Sequence, residues 1–185
     1  MQGAELACRE AIRLRPGFVP AHYHLGRALR GMGDHAGAEA ALRTALRLQP
    51  ALAAAHNELG VVLVARKDAA GAEAAFREAV RLSPTGASGH YHLGLILTER
   101  HEYAAAAAAL REAVRLDPRD AYAHANLGEA CRRLGQTDEA VRAYRAALAI
   151  DPQLAGATVR DALAYGLRVQ RGEVPTAPPP RAAGR

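Results

Sequence analysis

Residues 51–84 read ALAAAHNELGVVLVARKDAAGAEAAFREAVRLSP, and this stretch decides the fold. Ala54 to Arg66 and Ala69 to Leu82 both place apolar residues at helical spacing. Between them lies a short polar link, Lys67-Asp68. Links this short favour antiparallel neighbouring helices. Pro84 ends the second run, because proline lacks an N–H and disfavours helix in the residue before it. The stretch therefore predicts a helical hairpin that closes on a proline.

The same hairpin returns along the chain. Pro16, Pro50, Pro84, Pro118 and Pro152 are spaced by 34 residues without slippage. Leu25-Gly26, Leu59-Gly60, Leu93-Gly94 and Leu127-Gly128 keep that spacing. So do the rows Ala4, Ala38, Ala72, Ala106, Ala140 and Ala11, Ala45, Ala79, Ala113, Ala147. Leu14, Leu48, Leu82, Leu116 and Ile150 stand two residues before the prolines, and the links Gly33-Asp34, His101-Glu102 and Gly135-Gln136 match Lys67-Asp68. Small residues on both helices allow a close approach. One hairpin cannot bury its apolar face alone, so stacked copies must form the core.

Period, Leu-Gly pair, small-residue sites and terminal proline together resemble the tetratricopeptide repeat. The resemblance covers about residues 19 to 152, with His22, His56, His90 and His124 at the family's Trp site. It implies an all-α, right-handed superhelical solenoid of stacked helix-turn-helix units. We expect four complete units at 19–52, 53–86, 87–120 and 121–154, preceded by residues 1–18 as the second helix of a truncated unit. Residues 155–170 are expected to form a capping helix, solvated because Asp161 replaces an expected Leu, and 171–185 a disordered Pro/Arg tail. Leu6, Cys8, Ala11, Ile12 and Leu14 share one face of the first helix and would leave apolar surface open. That end would be covered by a second chain, as in self-association, or by an extension of the natural protein.

Charge and composition narrow the functions. Net charge is +5, but Arg168, Arg171, Arg181 and Arg185 against Glu173 place +3 of it at the C-terminal end. Within the array, the rows Arg9, Arg43, Arg77, Arg111, Arg145 and Arg13, Arg47, Arg81, Arg115 read as outer faces of second helices. Glu5, Glu39 and Glu73 stand four residues before three of them, which suits stabilising ion pairs. Few aromatics interleave with these rows, which disfavours nucleic acid. No apolar run reaches 18 residues, and no signal segment opens the chain, so a cytoplasmic protein without a membrane span is expected.

Histidine pairs such as His22/His24 point about 200° apart on a helix and cannot close on one metal. The histidines at the Trp site are expected to pack between the two helices of a unit. Cys8 and Cys131 lie more than three units apart, too far for a disulfide, and read as reduced core residues. No catalytic motif is present, so we expect no enzyme activity, cofactor or metal.

In this family the concave groove usually holds a peptide. The resemblance assigns to its lining Tyr23, Arg27 and Arg30, then Asn57, Val61 and Val64, then Tyr91, Leu95 and Thr98, then Tyr122, Glu129 and Arg132. They form an arginine end, an apolar middle and a mixed end. A row that is asparagine in sugar-transferring relatives reads His24, Glu58, His92 and Asn126. A clamp for a C-terminal carboxylate is disfavoured, because the single lysine, Lys67, lies in a link. The expected function is a protein-interaction scaffold binding a peptide or helix of a protein partner. The alternatives are a recruiting arm detached from a bacterial glycosyl- or sulfotransferase, or a homo-oligomeric assembly protein.

Overall fold

A computed structural model describes residues 2–154 and 157–174. Among them are ten α-helices and no strand. They are α1 (Gln2–Leu14), α2 (Val19–Gly31), α3 (His35–Leu48), α4 (Ala53–Ala65), α5 (Ala69–Leu82), α6 (Ala87–Glu99), α7 (Tyr103–Leu116), α8 (Ala121–Arg133), α9 (Thr137–Ile150) and α10 (Ala157–Gln170). The links fall where the sequence places them. The chain divides into two compact units, Met1–Ile96 and Leu97–Arg185. In the first, α2 packs on α3 and α4 on α5, while α2 also touches α4. In the second, α8 packs on α9, and α10 packs on both.

What locks the α2–α3, α4–α5 and α8–α9 hairpins is a large side chain of the second helix seated on the glycine of the first. A Cβ built on Gly26 would lie 2.6 Å from Leu42, and one on Gly128 would lie 2.8 Å from the Tyr144 ring. Gly60 faces Phe76 in the same way. Leu42, Phe76, Leu110 and Tyr144 follow one another at 34 residues and are all buried. Burying side chains of this size contributes about 1.5–3 kcal/mol each. The alanines at 38, 72, 106 and 140 are buried beside them and bring the backbones together. The glycine therefore gives up its side chain to make room for a bulky neighbour.

The ends of the helices have local causes. Gly33, Lys67, His101 and Gly135, again 34 apart, all adopt positive φ, between 64° and 83°. After Gly33 the chain folds back so that the Asp34 amide reaches the Leu29 carbonyl at 3.0 Å. This closes α2 with the left-handed turn common at helix ends. Asp34 and Asp68 then cap the next helices, accepting from Gly37 N at 2.8 Å and Gly71 N at 2.9 Å. The Trp-site histidines, of which His22 is buried, also make a directed bond that the sequence does not display. Their Nε2–H groups donate to the carbonyls of Pro16, Pro50, Pro84 and Pro118 at 2.8, 2.9, 2.9 and 3.1 Å. Each ties a first helix back to the proline turn before it.

At the N-terminal end Leu6 is 67% and Leu14 70% exposed, and Ile12 is half-buried. At the other end Gly166 of α10 lies against Val141 of α9, and Asp161 faces solvent. Residues 171–174, grouped with the tail in the sequence reading, instead close α10. Gly172 has φ 73°, and the Glu173 amide reaches the Arg168 carbonyl at 2.9 Å. Residues 155–156 and the rest of that tail, 175–185, lie outside the described residues.

Gly60→Ala should therefore cost about 1–3 kcal/mol in denaturant unfolding, by overpacking against Phe76. Gly3→Ala in α1, where a Cβ meets nothing within 4 Å, should be neutral or stabilising by up to about 1 kcal/mol. Equal effects at the two positions would refute the knob-on-glycine account.

Candidate functional site

In the first unit, the exposed faces of α2 and α4 meet across a charged cluster. Arg30 Nε lies 3.0 Å from Glu58 Oε2, and Arg27 Nε lies 3.6 Å from Glu58 Oε1. Two guanidinium groups thus share one carboxylate. Only Arg30 is within hydrogen-bond reach. Arg27 instead lies over the Tyr23 ring, 5.8 Å from its centroid. Tyr23, Arg27, Asn57, Glu58 and Ser88 line a hollow of about 400 Å³ between α2, α4 and the start of α6.

A polar knot borders that hollow. His92 Nδ1 lies 3.1 Å from Asn57 Oδ1 and 2.9 Å from the Ser88 carbonyl. Both neighbours are acceptors, so Nδ1 carries the hydrogen. Asn57 Nδ2 donates in turn to Ser88 Oγ at 3.2 Å. The His92 ring stacks on Phe76 with centroids 5.2 Å apart, which links the knot to the buried knob of that hairpin. Arg30, Val61, Val64 and Leu95 stand outside the wall of the hollow. Val64 is 40% exposed, while Val61, Tyr91 and Leu95 are half-buried. Arg27 and Arg30 also border a second hollow, of about 570 Å³, with Ala4, Ala7 and Cys8 of α1.

In the second unit, Tyr122 is 58% exposed and Thr98 half-buried. Glu129 and Arg132 hold each other. Glu129 accepts from Arg132 at 2.8 Å through two nitrogens, from Arg133 at 2.7 Å and from the Tyr144 hydroxyl at 3.1 Å. Burial pushes the Glu129 carboxyl up, but the bonds from Arg132 and Arg133 outweigh it and leave it below its ordinary value. Burial, helped by Glu129, raises the Tyr144 hydroxyl. Expected as groove contacts, these two residues are satisfied within their own unit.

The sequence reading missed Glu58, Ser88 and His92 as site residues. Glu58 and His92 did stand in the row compared with the asparagine ladder, so a signal for them existed. The expected pairs Glu5–Arg9, Glu39–Arg43 and Glu73–Arg77 all form, though Glu39 and Glu73 themselves are buried. Glu39 bonds Arg43 at 2.7 Å and also clasps Arg66, the residue that ends α4. Arg111 is 41% exposed but not unpartnered. It reaches Glu139 through two nitrogens at 2.7 Å and Gln136 at 3.0 Å, joining α7 to the start of α9.

Burial raises both free thiols, Cys131 to about 11, which keeps them protonated at neutral pH. Among the described residues no cluster of His, Cys, Asp and Glu has the make-up of a metal site, and no helix is long and apolar enough to cross a membrane.

These hairpins and their 34-residue register define a repeat protein of paired helices. Residues 23–87 and 91–155 match the family model of the tetratricopeptide repeat, and the chain belongs to that family, with its all-α solenoid fold. Among solved structures it is similar to YrrB, a TPR protein with an unusual peptide-binding site. The two share 22% identity over 92% of this chain and 86% of that one, at a TM-score of 0.80. MamA matches at 25% identity over 83% and 90% of the two chains, TM-score 0.73. PilF of Pseudomonas aeruginosa matches at 26% identity over 85% and 71%, TM-score 0.71. A comparison with curated proteins returns no match.

The Glu129 cluster makes a pH prediction. A carboxyl held below its ordinary value stabilises the fold above that value and loses the contribution as pH falls through its folded value. Wild type should therefore exceed Glu129→Gln in stability at pH 7, and the gap should shrink below about pH 4.5. Denaturant unfolding of both forms between pH 7 and pH 3 checks this; a gap that widens on acidification refutes it.

Proposed function

We propose that the chain is a protein-interaction module that takes an extended or helical peptide segment of a protein partner across its first helices. The observation that carries this reading is the 400 Å³ hollow between α2, α4 and the start of α6, with Tyr23, Arg27 and Asn57 in its wall. It combines one rigid aromatic, one cation and several side-chain hydrogen-bonding groups, a mixture suited to peptide side chains. The peptide-binding site of YrrB supports the reading by analogy of fold alone. In the unit Met1–Ile96 the contact residues are read as Tyr23, Arg27, Arg30, Asn57, Val61, Val64, Tyr91 and Leu95, and in the unit Leu97–Arg185 as Thr98, Tyr122, Glu129 and Arg132.

Peptides selected from a random displayed library should bind the whole chain, and Tyr23→Ala or Tyr91→Ala should weaken them by about 1–2 kcal/mol or more. Arg47→Ala, an exposed change on α3, should alter binding little. Arg111 is a poor control because its loss strands Glu139. Equal losses at Tyr23 and Arg47 would remove the first helices as the site.

A second reading is favoured by the exposure of Leu6 and Leu14 on α1. Self-association through this face would cover them, since large apolar patches mark interaction sites. Sedimentation of wild type against a Leu6→Glu, Leu14→Glu double variant decides it: a wild-type dimer lost in the variant supports the reading, and monomers throughout end it.

A further inference from the structure

We propose that the hollow between α2, α4 and the start of α6 is a receptor for one carboxylate, supplied by an aspartate or glutamate side chain of an extended peptide. This rests on the peptide-binding reading above and specifies what that site selects.

The argument begins with charge. Arg27, Arg30 and Glu58 sum to one net positive charge in a cluster that bridges two first helices. Glu58 is only 15% exposed and is matched by Arg30 at 3.0 Å. Arg27 is 49% exposed, lies 3.6 Å from that same carboxylate and rests on Tyr23. Its guanidinium is held in place by the ring and by the field of Glu58, with its hydrogen-bonding capacity toward Glu58 unspent. A planar guanidinium presents donors in a fork that matches a carboxylate. An incoming carboxylate can take Arg27 while Glu58 keeps Arg30, so no buried charge is stranded.

The opposite wall supplies oriented polar groups. Asn57 Oδ1 faces the hydrogen on His92 Nδ1, which fixes the Asn57 amide with its nitrogen toward Ser88. Ser88 Oγ accepts that amide hydrogen and also lies 3.3 Å from the hydrogen-bearing His92 Nδ1, so its own O–H is directed away from both. Ser88 is exposed and lines the hollow together with Arg27. A carboxylate seated there meets a guanidinium on one side and a hydroxyl donor on the other. The hollow lies between successive first helices, so a peptide crossing them passes over it and presents a side chain. This favours an internal acidic residue over a chain terminus.

The test is an NMR titration of the full chain that follows the Arg27 Nε–H and Asn57 side-chain amide resonances. Three probes are used: acetyl-Gly-Glu-Gly-amide, acetyl-Gly-Gln-Gly-amide, and acetyl-Gly-Gly-Gly with a free carboxylate. The glutamate probe should shift both resonances saturably and bind at least about fivefold more tightly than the glutamine probe. Arg27→Gln should abolish that preference, and Ser88→Ala should reduce it, while Arg43, paired with Glu39 on α3, stays unmoved. Equal binding of the glutamate and glutamine probes, unmoved Arg27 and Asn57 resonances, or tighter binding of the free-terminus probe would each overturn the proposal. A library-selected peptide separates this inference from the wider reading. If it maps to the first helices yet binds equally well with its acidic residues changed to amides, the carboxylate receptor fails alone. If it maps elsewhere, the peptide-binding reading fails with it.

Discussion

Everything in this molecule depends on the seating of a large second-helix side chain on a first-helix glycine. Leu42 on Gly26, Phe76 on Gly60 and Tyr144 on Gly128 set the distance between paired helices. That distance fixes where the polar faces of the first helices end up. Where the knob is aromatic, it also touches a polar residue of a first helix. Phe76 stacks under His92, which orients Asn57. The Tyr144 hydroxyl props Glu129. Core packing and the candidate site are therefore one connected structure, and a site residue can owe its orientation to a buried ring.

The histidine contacts perform a second service. A proline turn leaves carbonyl groups that the helix before it cannot use. The imidazoles of His22, His56, His90 and His124 satisfy one such carbonyl in each copy. The junction between successive hairpins is held by a directed bond as well as by apolar contact, and a bond of this kind contributes about 1 kcal/mol.

The architecture was legible in the sequence because its determinants are residue types that recur at one spacing. Proline, the Leu-Gly pair and the alanine rows can each be read without coordinates. The knob row was not legible. Cys8, Leu42, Phe76, Leu110 and Tyr144 share a position but no chemistry, and only the glycine opposite betrays them. The histidines were visible as a row, but their partner is a backbone carbonyl, which sequence does not display. The hollow was half legible: Tyr23, Arg27 and Asn57, assigned to a groove, do line it together. Glu58, the acid that Arg27 and Arg30 share, lies about one repeat away on the next first helix, and pairing rules within a helix cannot find it. The same blindness left Glu39 without Arg66 and Arg111 without Glu139.

The unequal knobs mean that the 34-residue copies are not interchangeable cassettes. Tyr144 fits its place because Glu129 receives its hydroxyl. One hundred and two residues earlier, the equivalent pair is Leu42 and Arg27. A duplication that moved the last hairpin's second helix into the first position would bring the hydroxyl beside a residue that can only donate. It would also ask the Leu42 cavity to hold a larger ring. Growth of this array by copying must be followed by repair at two helices at once, so its repeats have diverged as matched pairs.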